Sequence, residues 1–136
     1  MLKLEIVTPE KKIYSDSVDQ VSLPTPDGEI TVLPHHIPLV TLVQPGELIV
    51  KKAGKTTYLV TGEGFVEVTA ESVSVLTDLA VESAEIDEKA AEEARKRAEE
   101  ALKQKHTMSS EEFAMTAANL QKALASLRVK RRHKKI

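Results

Sequence analysis

Every glycine and every proline lies before residue 65, and from Glu82 to the C-terminus the chain contains neither. Gly and Pro punctuate turns and break helices, so this division predicts two halves with different grammars. The first half reads as short strands. Leu2–Val7, Val18–Leu23, Glu29–Leu33, Leu39–Val43, Leu48–Val50, Thr57–Val60, Phe65–Thr69 and Val73–Leu76 are β-branched or alternating runs. Asp27-Gly28, Pro45-Gly46 and Gly54-Lys55 sit between them as turn signals, and Pro24 and Pro26 interrupt the second run. Short strands separated by turns every 8–12 residues point to a β-sandwich or barrel.

The second half reads as two helices. Asp87 is a good N-cap, and Ala90, Ala91, Ala94, Ala98, Ala101 and Leu102 keep helical spacing behind it. Lys103 to Met108 reads as the connection. Ser109-Ser-Glu-Glu112 has the form of a capping box, and Phe113, Ala117, Leu120, Leu124 and Leu127 form one face of a second helix. Together they predict an antiparallel helical hairpin. Its alanine stripe lets helices approach closely but buries little area, so the hairpin should depend on docking and be able to detach. The boundary falls between residues 1–84 and 85–136.

Charge is divided as well. Residues 1–80 hold six Lys and no Arg against eleven Asp and Glu, whereas Arg128 to Ile136 hold six basic residues and no acid. A basic tail on an acidic body suits an acidic partner; nucleic acid, an anionic membrane surface and a solvated disordered tail are the other readings. The acidic body weighs against nucleic acid. Aromatic content of 3% and the absence of Trp argue against base-stacking platforms. No apolar run reaches the ~20 residues of a membrane span, and the N-terminus lacks a signal-peptide h-region, which predicts a reducing, cytosol-like compartment.

Catalytic machinery is not visible. Without Cys there is no thiol nucleophile or thiolate metal site. His35 and His36, read as neighbours on a strand, would face opposite ways and could not share a metal. His106 and His133 fall in a loop and the tail and read as solvated. Gly62-Glu-Gly64-Phe65 lacks the Lys-Ser/Thr of a phosphate loop and reads as a bend or bulge between strands. Glu92-Glu93 and Glu99-Glu100, around Arg95, Lys96 and Arg97, read as a solvated helix face with i,i+4 pairing.

The stretch from Gly28 to Gly46, with Gly28-Glu29, Leu33-Pro34, His36 and Pro38-Leu39, resembles the signature of the epsilon-subunit family of F-type ATP synthase. Ile6-Val-Thr-Pro9, Gly64-Phe-Val-Glu-Val68 and Ile86-Asp87 agree with it, in order and over essentially the whole chain. The resemblance implies a flattened β-sandwich of about ten strands followed by a helical hairpin. It implies a non-catalytic rotor subunit that clamps the gamma subunit and the c ring. The hairpin would extend into the alpha/beta hexamer to restrain ATP hydrolysis, with the catalytic sites on beta. It implies peripheral attachment, without insertion, to the inner face of an energy-transducing membrane, on the cytoplasmic side in bacteria.

By the same resemblance, Glu29 and His36 are contact candidates for the c ring and gamma, placed on one stator-distal surface. Lys122, Arg128, Lys130, Arg131 and Arg132 are candidates for an acidic segment of beta, with the charge continuing to Lys135. Some members bind ATP through an Ile/Leu-Asp-x-x-Arg-Ala motif. Here Ile86 and Asp87 are present, but Ala90 stands at the arginine position and Lys122 and Ser126 at the second-helix positions. Lys89 lies about 100° around the helix from Ala90 and is a poor substitute. Weak or absent ATP binding follows, and no cofactor is expected. The alternative reading is a stand-alone β-barrel binding module with a nucleic-acid-directed basic tail.

Overall fold

A computed structural model describes residues 1–104 and 107–133. His106, read above as a loop residue, and the last part of the basic tail lie outside those residues. Ten strands form two five-stranded sheets, and two helices follow. The strands are β1 Leu2–Val7, β2 Lys12–Val18, β3 Gln20–Thr25, β4 Gly28–Val32, β5 Leu39–Val43, β6 Gly46–Lys52, β7 Lys55–Thr61, β8 Gly64–Val68, β9 Ser72–Thr77 and β10 Ala80–Glu82. Sheet A runs β2-β1-β9-β8-β5 and sheet B runs β10-β7-β6-β3-β4. All pairings are antiparallel except β1 with β9.

Alternation places Leu2, Leu4 and Ile6 of β1, Val66 and Val68 of β8, and Val73 and Val75 of β9 inside. Leu23, Leu48, Val50 and Leu59 of sheet B meet them in one continuous core. Every one of these side chains is essentially inaccessible to solvent. The turn signals act as expected: Ala53 and Gly54 both adopt positive φ, the backbone a two-residue β6–β7 hairpin needs.

Two strands were not evident from the sequence. β2 is an edge strand with Ser15, Asp16 and Ser17 in succession and only Val18 fully buried, and β10 is three residues long. Pro24 does not interrupt β3. It lies within the strand, paired with Glu29.

A single 3₁₀ turn, Ser83–Glu85, leads into α1 Glu88–Leu102, and α2 spans Ser110–Arg132. Both caps form as expected. The Asp87 carboxylate accepts from the Ala90 amide, and the Ser109 hydroxyl accepts from the Glu112 amide. α2, and not α1, lies on sheet B, against β6, β7 and the 3₁₀ turn.

The expected α2 face is only partly right. Leu127 is buried and Leu120 and Leu124 are half-buried, but Phe113 is exposed. Ala123, Ala125 and Val129 are buried in addition. The C-terminal half of α2 is wedged between α1 and the sheet and is covered on two sides, which a one-face periodicity does not anticipate.

Candidate functional site

The outer face of sheet A carries an unusual row. Outward positions of a solvated sheet are normally polar. Here Leu42, Phe65, Leu76 and Val7 are aligned across β5, β8, β9 and β1. Leu42, Phe65 and Leu76 are more than half exposed, with Phe65 at 57%. Phe65 stands as a ridge between two hollows. One, about 580 Å³, is lined by Pro26, Leu42, Gln44, Pro45 and Glu63 among others. The other, about 340 Å³, is lined by Val7, Pro9, Leu76 and Thr77 among others.

Gly64 sets this ridge in place. A Cβ there would lie 1.8 Å from the Leu76 carbonyl oxygen, so only glycine lets β8 start this close to β9. The Gly62-Glu-Gly64 stretch is therefore a close-approach bend, in line with its structural reading. The row itself was missed by sequence reasoning. Its signal was present as apolar residues at outward positions of β5, β8 and β9.

Glu29 and His36 lie toward opposite ends of β4. Glu29 is exposed at the start of β4, paired with Pro24, beside the turn where Gln44 N donates to Pro24 O. His36 lies beyond the other end of β4, in a loop tied to the β8–β9 turn by His35 N donating to Ala70 O at 2.8 Å. A strand of five residues, about 16 Å, separates the two ends. The histidines are in a turn, not on a strand: His35 has φ of 68° and His36 Nδ1 donates to the Ile37 carbonyl at 2.7 Å. Leu33, Ile37 and Val40 make the surroundings of His36 apolar and exposed.

Four of the five basic residues of α2 face the chain's own acids and carbonyls. Lys122 Nζ lies 2.5 Å from Asp78 Oδ2. Lys130 Nζ donates to Ser83 O at 3.2 Å. Arg131 bridges to Glu88 at 2.9 Å and Glu92 at 3.0 Å on α1. Arg132 Nη1 donates to Glu47 at 2.9 Å. Arg128 is exposed. Residues 128–132 are thus the last turns of a helix and not a disordered tail.

The solvated reading of His133 is also overturned. Its ring stacks on Tyr58 with centroids 3.6 Å apart, and Nε2 lies 2.5 Å from Glu47 Oε2. The acidic face of α1 carries the expected pairing along the helix. Arg95 bonds Glu92 and, at 2.9 Å, Glu99. The Arg95 guanidinium, together with Arg131, holds the Glu92 carboxyl below the usual carboxylate range.

Beneath these pairs the apolar seam between hairpin and sheet is small. Val60, Ala125 and Val129 are buried, with Leu79 and Ile86 half-buried beside them. Burying the two valines contributes about 3–6 kcal/mol. Of the degenerate nucleotide motif, Asp87 is occupied as a cap, Ile86 packs in this seam and Ala90 is exposed. An inter-helix groove of about 550 Å³ is lined by Ala91, Ala94, Ala98 and Ala101, with Arg97 and Lys122 as its cations.

Residues 1–83 match the family described as ATP synthase, Delta/Epsilon chain, beta-sandwich domain, and residues 84–131 match its long alpha-helix domain. This chain belongs to the ATP synthase delta/epsilon family. It is 44% identical over 133 residues to an ATP synthase epsilon chain of Chloroflexus aggregans, covering 98% of this chain and 94% of that one. Another epsilon chain, from Roseiflexus sp., is 44% identical over 90 residues, 66% of this chain and 65% of the relative. Among solved structures, a chain of the Euglena gracilis mitochondrial ATP synthase, OSCP/F1/c-ring, superposes with a TM-score of 0.75 at 24% identity. That match covers 91% of this chain and 78% of the other. Membership in the delta/epsilon family accounts for the sandwich-then-hairpin order, and the stand-alone nucleic-acid module finds no support.

Proposed function

We propose that this chain is a non-catalytic central-stalk subunit, which rides on gamma and the c ring and restrains ATP hydrolysis through its hairpin. The observation that carries this is the pairing of a stiff, strongly cored sandwich with a hairpin held by a thin seam. A torque-bearing clamp needs the first. A switch needs the second, because two packings must lie within a few kcal/mol of each other. The Leu42–Phe65–Leu76 row supplies an apolar docking face whose ridge and hollows suit a helical partner such as gamma.

Glu29 and the His36 loop, at opposite ends, are the candidates for two separate contacts on the c ring and gamma. Lys122, Arg128, Lys130, Arg131 and Arg132 are the candidates for an acidic segment of beta once α2 leaves the sheet. Attachment to the membrane would be peripheral, through these partners, on its inner face. No helix among the described residues is long and apolar enough to cross it.

The test is ATP hydrolysis by a matching F1 assembly lacking this subunit, with the full chain or a chain ending at Glu85 added. Inhibition by the full chain alone supports the proposal. Binding of both without inhibition would leave the sandwich as a clamp and remove the hairpin's role. Failure of both to bind would overturn the rotor reading.

A further inference from the structure

Glu47 is the most occluded carboxylate in contact with the hairpin. It points outward from β6, beneath the end of α2, and its side chain is 11% exposed. Each of its oxygens takes one donor from two consecutive residues. Arg132 Nη1 donates to Oε1 at 2.9 Å, and His133 Nε2 donates to Oε2 at 2.5 Å. A carboxylate only accepts, so the imidazole nitrogen is the donor. The His133 ring lies flat on Tyr58, at an interplanar angle of 19°. Tyr58 and Glu47 are neighbours on the outer face of sheet B, through the pairs Ile49 with Tyr58 and Glu47 with Val60.

The position of this cluster matters as much as its geometry. Val60 and Val129 form the buried centre of the seam, and the cluster closes the seam at its C-terminal end. Beyond Val129, Lys130 reaches the Ser83 carbonyl and Arg131 reaches Glu88 and Glu92 of α1, while Arg132 and His133 are the residues that tie this end to the strands of sheet B. A nearly buried carboxylate is costly without partners, so Glu47 is satisfied only while Arg132 and His133 stay down. When α2 lifts, Glu47 returns to water and Arg132 is released toward any external acid.

We propose that Glu47, with Tyr58, is an internal clasp that holds Arg132 and His133 in the folded state, in competition with an acidic partner for the same cation. The clasp rests on the hairpin-switch reading above and names what regulates it. It makes two substitutions at one ion pair act in opposite directions. Glu47→Gln releases the helix end while leaving its cations intact, so inhibition should require about tenfold less protein. Arg132→Gln also loosens the folded state, though it leaves His133 on Glu47, and it removes the cation, so inhibition should not improve.

The test uses the full chain, which has no cysteine of its own. Spin labels on Thr31→Cys and Gln121→Cys, both exposed positions, report the docking distance. Ala125→Asp, which puts a charge into the apolar seam, serves as the reference for an undocked hairpin. A longer or broader distance in both Glu47→Gln and Ala125→Asp, with stronger inhibition of F1 by Glu47→Gln but not by Arg132→Gln, supports the clasp. Undocking by Ala125→Asp but not by Glu47→Gln overturns the clasp and leaves the switch standing. A hairpin that stays docked in both overturns the switch itself and the clasp with it.

Discussion

Lys122 and Asp78 meet at 2.5 Å across the seam between α2 and the turn that follows β9. The pair is partly exposed on both sides, so its contribution is that of a surface pair, about 0.5–1 kcal/mol. Lys122→Ala should therefore speed amide exchange in the C-terminal half of α2 by roughly two- to fivefold, with β1, β8 and β9 unchanged. An equal acceleration in both regions would show that the hairpin opens only when the sandwich unfolds.

Phe65 tests the apolar row. Its side chain is exposed in the isolated chain, so Phe65→Ala should change the melting temperature little. If the row is the docking face, affinity for a gamma–c-ring assembly should fall by roughly 30-fold or more, the behaviour of a central aromatic anchor. Surface plasmon resonance on the assembled stalk, paired with a thermal melt, separates the two effects. Unchanged affinity would remove the row from the interface.

Gly64 supports that row from beneath, and Gly64→Ala should be severe. Its Cβ would meet the Leu76 carbonyl at 1.8 Å and the Thr77 Cα at 2.7 Å, both backbone atoms that cannot swing away. β8 would have to part from β9, at a cost of about 3 kcal/mol, lowering the melting temperature by roughly 10 °C. Gly54→Ala meets no atom within 4 Å and is strained only by its φ of +80°, so it should cost less.

The strands with a clear alternation, such as β1, β8 and β9, were legible because the sandwich buries one side of each. β2 and β10 were not, because an edge strand interrupted by Ser15, Asp16 and Ser17 and a three-residue strand give no alternating apolar run. Both helix caps were legible, since Asp87 and Ser109 act through local hydrogen bonds. The Glu47–His133 contact was not, because its partners lie 86 residues apart and nothing local joins them. The same holds for Leu42, Phe65 and Leu76. Each reads as an ordinary apolar strand residue until the register aligns them on the outer face.

Acid should loosen the hairpin before the core. Arg95 and Arg131 hold the Glu92 carboxyl below its ordinary range in the folded chain. A group whose folded value is lowered adds stability above its unfolded value and loses it as pH falls through the folded one. The contacts Arg95 and Arg131 make with Glu92 should therefore weaken only below the usual carboxylate range, and Glu92→Gln should flatten that acid limb. Helical ellipticity followed against pH in both chains checks this. Identical profiles would show that Glu92 does not pin the helices.

The inter-helix groove makes the last prediction. Its cations are Arg97 and Lys122, and Lys122 is already paired with Asp78. A triphosphate needs several charge-assisted, preferably bidentate, donors, and alanine at position 90 and serine at position 126 supply none. Titration calorimetry with ATP should show no saturable binding at micromolar concentrations. Ala90→Arg combined with Ser126→Arg adds two guanidinium groups, one from the groove lining at 126 and one from the exposed position 90 on α1. That double variant should gain at least tenfold in affinity if the groove retains the shape of a nucleotide site. Micromolar binding by the unaltered chain would mean that Arg97 and Lys122 suffice, and that Lys122 leaves Asp78 when nucleotide arrives.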